Sequence, residues 1–139
     1  MLFIPGLPRP QGSKKAFNRG GRIVLVEAAA GLKEWRELVG VVYLAHRTEF
    51  HARPAAVVVD VIFLLPQIKK PRQRYPTGKP DIDKLSRGIL DALTGIAYDD
   101  DSQVVQLNAQ KVYTFEQPGV YITVSAINND YVTTRKIDA

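Results

Sequence analysis

The chain has 139 residues, 45% hydrophobic and 24% charged, with a formal net charge of +5 and a pI of about 9.6. That length and apolar content suit one domain with a real core and exclude a largely disordered chain. The lack of cysteine excludes disulfide and thiolate chemistry, two histidines are too few for a His/Cys zinc site, and no apolar run is long enough to cross a bilayer.

The opening MLFIPGL reads as a short strand ended by Pro8 and Pro10. MLFIPGLPRP lacks the positive lead-in of a secretory signal, so a cytoplasmic protein, of a bacterium or a bacterial host cell, is expected. A hairpin follows, with Ala16 and Phe17 in one arm, a turn at residues 18–21, and Arg22 to Val26 in the other. Ala28, Leu32, Trp35, Val39 and Val42 recur at steps of three and four, which predicts an amphipathic helix over residues 27–47. Beyond Pro54, AAVVVDVIFLLP is the β-branched run of a buried strand. Asp60 breaks its pattern and is expected at a strand edge or facing a site. His46 and His51 fall at a helix end and in a loop, with no role assigned.

QIKKPRQRYPTGKP, residues 67–80, holds three prolines, a glycine and five basic residues, and is expected to be an exposed basic loop. Ile82, Leu85, Ile89, Ala92, Leu93 and Ile96 then form one apolar stripe at helical spacing, with Gly95 suited to the helix end. SQVVQLNAQKVYTF and VYITVSAI, joined by EQPG, predict two further strands. The order βββαβαββ implies an α+β domain over residues 1–127, with two helices on a mainly antiparallel sheet and a polar tail at 128–139. The helix around Trp35, the last strand and Phe63 are candidates for a subunit contact, though each suits the core as well.

The acidic residues admit two readings. In the plainer one, Asp81 after Pro80 is an N-cap, Asp83 favours the helix dipole, Asp83, Arg87 and Asp91 form an i,i+4 ladder, and the run at 99–101 is an acidic turn. In the sharper one, Asp81 and Asp83 aim into one space at a loop-to-helix junction, and a third carboxylate from 99–101 closes a site for Mg²⁺, a hard cation that prefers oxygen ligands. The helix spans roughly 20 Å, and an extended segment from Ile96 to Asp101, at about 3.3 Å per residue, covers that distance. Lys69, Lys70, Arg72, Arg74 and Lys79 lie just before Asp81 and suit a phosphate backbone, with Lys14 and Lys15 as a second patch. Basic residues for the polyanion beside carboxylates for a metal make up the parts of a metal-dependent phosphodiesterase.

Lys79 to Val105, KPDIDKLSRGILDALTGIAYDDDSQVV, resembles the RusA-type Holliday junction resolvases of bacteria and phages. That family carries an Asp-x-Asp opening a helix, an LDAL-like segment within it, then Asp-Asp followed closely by Gln-Val. PRPQGSKKAF is similar to phage-encoded members. The resemblance implies a homodimer that binds four-way DNA junctions in recombination and repair and, with Mg²⁺ or Mn²⁺, nicks two strands symmetrically. Carried over by position, it implies Asp81, Asp83 and Asp101 as acidic site residues, with Asp100 as the alternative third. Arg87 stands where the family has a functional lysine, keeping the charge but not the geometry. Lys84, grouped with the DNA-contacting residues, stands where asparagine is common, and Asp91 is read as a helix-face or supporting residue. The competing functions are another Mg²⁺-dependent nuclease acting on flaps, a non-catalytic DNA-binding module, and a calcium-stabilised protein, the last disfavoured by the basic loop.

Overall fold

The computed structural model describes residues 1–12, 14–19, 22–27, 31–67 and 73–131, with the backbone alone for 14–19 and 22–27. Its elements are β1 (Leu2–Pro5), β2 (Lys14–Arg19), β3 (Arg22–Glu27), α1 (Leu32–His46), β4 (Ala56–Pro66), α2 (Ile82–Leu93), a 3-10 turn (Asp101–Gln103), β5 (Val104–Thr114) and β6 (Gly119–Ile127). The order is the one expected from the sequence, and the domain is α+β.

β4 organises the fold because its residues alternate. Val57, Val59, Val61, Phe63 and Leu65 are buried, while Val58, Asp60, Ile62 and Leu64 on the other face are only half covered. Successive strand side chains point to opposite faces, so the first set fixes which side the helices cover. The main sheet runs β1-β6-β4-β5, and β2 and β3 form a separate two-stranded sheet. β1 and β4 pair antiparallel with β6, while β4 and β5 pair parallel. The parallel pair needs a crossover, which α2 supplies.

The α2 stripe packs as its spacing predicts, with Leu85, Ile89 and Leu93 buried against the sheet. α1 contributes Trp35, Val39 and Tyr43 to the same core. Trp35 and Phe63, 4% and 0% exposed, are therefore core residues rather than a free subunit contact. Gly88 allows the segment around Arg9 to lie against α2. A Cβ there would stand 3.4 Å from Arg9 O and 3.6 Å from Leu32 Cδ1.

Three expectations change. α1 begins at Leu32 rather than near residue 27, because Glu27 completes β3 opposite Lys14. Asp60 lies in a central strand, on the face away from the helices, where its carboxylate accepts a hydrogen bond from Asn108. The chain after α2 does not run extended back along the helix. Gly95, at φ +80°, donates to Tyr98 O at 2.7 Å, and Ala97 donates to Leu93 O at 2.8 Å, so residues 93–98 close a tight turn.

Candidate active site

Asp81 occupies the N-cap position of α2, yet its side chain makes no capping bond. Its carboxylate turns to lysines instead, with Lys79 Nζ at 3.0 Å and Lys84 Nζ at 3.6 Å. The Lys79 hydrogen bond and the charges of both lysines hold the Asp81 carboxyl below its ordinary range. Lys111 from β5 donates to Gly78 O at 2.7 Å and Pro80 O at 2.9 Å, fixing the backbone that leads into Asp81. Asp83, in the first helical turn, and Arg87, one turn further on, are exposed. Among the described residues Asp83, Arg87 and Asp91 form no ion-pair ladder. Asp91 instead accepts from Gln11 Nε2 and lies 3.8 Å from Arg36.

The other acids collect past the far end of the helix. Asp100 caps the 3-10 turn: its carboxylate accepts from Ser102 N–H at 3.0 Å, and its own N–H donates to Gln103 Oε1 at 3.0 Å. Gln103 is buried and its Nε2 donates to His51 O and Ala55 O, both at 3.0 Å, which ties the turn to the start of β4. Asp99 accepts from Arg53 N–H at 2.8 Å. Asp101 is exposed and has no hydrogen-bond or ion-pair partner among the described residues. Partial burial, then the charges of Asp100 and Asp91, push its carboxyl above the ordinary range.

The structure thus sorts the acids into two groups. Asp81 and Asp83 open α2; Asp91, Asp100 and Asp101 gather at its other end, about 15 Å away along ten residues of helix. The gathering of Asp81, Asp83 and Asp101 around one ion within a single chain is not what the fold shows. Among the described residues no three Asp, Glu or His side chains converge as a cation site. The physical reason is the tight turn at 93–98, which leaves the acidic run where the helix ends.

Of the basic residues singled out in the sequence, Lys79 and Lys84 flank Asp81, and Arg74 stacks over Tyr75 at 5.5 Å from the ring centroid while its carbonyl accepts from Tyr113 N–H at 3.3 Å. Lys14 and Lys15 lie on β2 with undescribed side chains, and Lys69, Lys70 and Arg72 fall outside the described residues. The sequence reading missed Lys111, Arg9, Tyr113 and Gln103. The alternation of β5 puts Lys111 and Tyr113 on one face, a signal available in the sequence. Gln103 falls in the Gln-Val step that follows the acidic run, but nothing there marks it as an anchor, and nothing in the pattern marks Arg9.

The chain is thus an α+β domain whose crossover helix carries carboxylates at both ends and lysines around one of them. Residues 5–125 match the RusA endodeoxyribonuclease family, and the chain belongs to it. It is also 31% identical to the Uncharacterized protein YqaN of Bacillus subtilis (strain 168), over an alignment of 136 residues covering 90% of this chain and 94% of that protein. No helix among the described residues is long and apolar enough to cross a membrane.

Proposed function

We propose that this endodeoxyribonuclease resolves four-way DNA junctions by paired, symmetric nicks, acting as a homodimer that requires Mg²⁺, or Mn²⁺ in its place, in recombination and repair. The observation that carries the reading is the family match, whose span includes both acid groups. Paired cuts in a two-fold substrate need two sites in matching orientation, which a C2 dimer provides.

A dimer also offers a way to complete the acid set. β5 is an edge strand of eleven residues with Val105 62% and Leu107 40% exposed. Its first residue follows the 3-10 turn that carries Asp101, and Lys111 and Tyr113 near its other end lie beside Asp81. Two β5 edges paired antiparallel would therefore set Asp101 of one protomer towards Asp81 and Asp83 of its partner. Such pairing would also cover the part of that edge that the backbone at Arg74 does not already meet. With Asp100 engaged as a cap, Asp101 is the acid of the run that is free to contribute.

Within that reading Asp81, Asp83 and Asp101 hold the cation, whose contribution when bound is an acidified water and charge neutralisation at phosphorus. Arg87, exposed one turn beyond Asp83, faces solvent where a phosphoryl oxygen can reach it and offsets the charge that grows there. Lys79 and Lys84 hold the phosphate backbone beside Asp81. The test is a labelled four-way junction incubated with the protein in Mg²⁺ or in EDTA, with nicks mapped on every strand. Symmetric pairs of nicks in Mg²⁺ alone are expected, with duplex of the same sequence uncut. Preferential cutting of a flap would point to another branched substrate, and nicking that survives EDTA would refute the metal requirement.

A further inference from the structure

Beside Asp81 the protein carries a cleft of about 680 Å³ whose apolar interior the proposed chemistry does not use. Pro8, Pro76 and Leu65, all buried, form part of its walls with Pro10, Pro66 and the half-buried Tyr113. Its mouth is charged: Lys79 and Lys84 flank a single carboxylate, that of Asp81, and Arg9 also lines the cleft, with its guanidinium packed against Gly31. The cleft therefore combines apolar and aromatic walls with an excess of cations, the surface that an anionic, ring-bearing ligand requires. The volume is within the range of sites that enclose small ligands.

The cleft is also built before any ligand arrives. Gln11 N–H donates to Lys84 O at 2.9 Å, and its carboxamide links Asp91 to Arg36, which donates to Gln11 Oε1 at 3.0 Å. The close approach at Gly88 presses the same segment onto α2. On the opposite side Lys111 clamps the carbonyls of Gly78 and Pro80, and the Tyr113 backbone bonds to Arg74.

We infer that this cleft receives one unstacked nucleotide of the DNA, next to the phosphate presented to Asp81, with its base against Tyr113 and the proline walls and its phosphate beside Lys79 and Lys84. The inference deepens the junction reading and rests on it. At a branch point a base can leave the stack at lower cost than within continuous duplex, since stacking is interrupted where the strands exchange. A stacking surface with a basic rim holds such a base with little regard to its identity, while the size of the cleft limits which bases fit. Tyr113 is therefore a binding and specificity residue, distinct from the carboxylates.

The test is a double-mutant cycle read by equilibrium binding in EDTA, so that it does not depend on cleavage. Junctions carrying one abasic nucleotide, moved through the positions at the branch point, are compared with the intact junction. The wild-type protein should bind one of these about tenfold more weakly, the size of one base–aromatic stack. Tyr113→Ala should weaken binding of the intact junction by a similar factor and abolish the abasic penalty, while Tyr113→Phe, which keeps the ring, restores it. Leu7→Asp, at a 43% exposed position on the mouth, adds a carboxylate without touching the core and should weaken binding of the intact junction. Equal affinity for every abasic junction, or an abasic penalty unchanged in Tyr113→Ala, would overturn the inference while leaving junction cutting intact; a cleft that held a peptide would give that result. Failure of the wild-type protein to bind or cut the intact junction would overturn the junction reading and the cleft assignment together.

Discussion

At the start of α2 Asp81 stands among lysines, whereas past its end Asp101 has carboxylates as its charged neighbours, Arg36 and Arg53 being engaged by Asp91 and Asp100. Asp81 has Lys79 and Lys84 within 3.6 Å and titrates low. Asp101 has Asp100 and Asp91 as its charged neighbours and titrates high. The first arrangement is comfortable without a ligand. The second accumulates like charge, which a protein relieves by solvent, protonation or a cation. The contrast suggests a division of labour, with the lysine-rich end receiving phosphate and the acid-rich end waiting for positive charge from outside the protomer.

The largest effect should come from breaking that division. Asp83→Asn and Asp101→Asn should each lower nicking in Mg²⁺ by about a hundredfold or more, as loss of a charge-stabilising group does, while junction binding persists. Mixing the two inactive variants separates the arrangements. If the acids of one site come from two protomers, half the dimers in an equal mixture are mixed, and each has one intact site, so about a quarter of wild-type nicking should return. If each site is built from one chain, mixing restores nothing.

Next in size is the support of the acid-rich end. Gln103→Ala removes the donor to His51 O and Ala55 O and the acceptor for Asp100 N–H. The loss of these bonds from a buried side chain should cost about 2–3 kcal/mol in urea unfolding. Nicking should fall as well, since the turn that carries Asp101 loses its anchor. An unchanged unfolding midpoint would show that the turn is held by other contacts.

How much of this was legible in the sequence follows from which interactions are local. The α2 stripe and the alternation in β4 are periodic, so Leu85, Ile89 and Leu93 and the odd-numbered β4 residues could be assigned to the core from spacing alone. The capping position of Asp81 was equally local, although the lysines, not the backbone, take its carboxylate. The partner of β5 was not local. A strand carries no mark of whether its neighbour runs parallel, and that choice sets where the acidic run falls. The turn closed by Gly95 and Tyr98 decides that Asp101 stays at the helix end, and a glycine at 95 is compatible with either outcome. The face of Lys111 was legible from alternation, but its carbonyl partners at Gly78 and Pro80, 33 and 31 residues away, were not.

A smaller effect is expected at the lysine-rich end. Lys79→Gln or Lys84→Gln should reduce the slope of log binding constant against log salt by about 0.9 if the residue meets a phosphate. The Asp81 titration, followed by NMR, should move up towards the ordinary carboxylate value in either variant. A carboxyl with a depressed native pKa stabilises the fold above its unfolded pKa, and that contribution fades as pH falls through the native value. The difference in stability between wild type and variant should therefore shrink with acidification. A salt slope unchanged in both variants would remove these lysines from the DNA contact.

The smallest effect is the most informative about why the acid-rich end exists. Asp101 has a raised native pKa, so its charge opposes folding at neutral pH, and the opposition disappears as pH falls below the range in which the unfolded carboxyl titrates. Asp101→Asn should leave the protein as stable as wild type or slightly more so at neutral pH, with the difference vanishing in acid, although the same substitution should abolish nicking. Urea midpoints measured across the acid range would reveal this. A residue that helps the reaction while opposing the fold is what a charged site retains when its compensating charge arrives with the ligand. If Asp101→Asn instead destabilised the protein at neutral pH, the carboxylate would have a structural partner, and the acid-rich end would be an anchored turn rather than part of the nuclease centre.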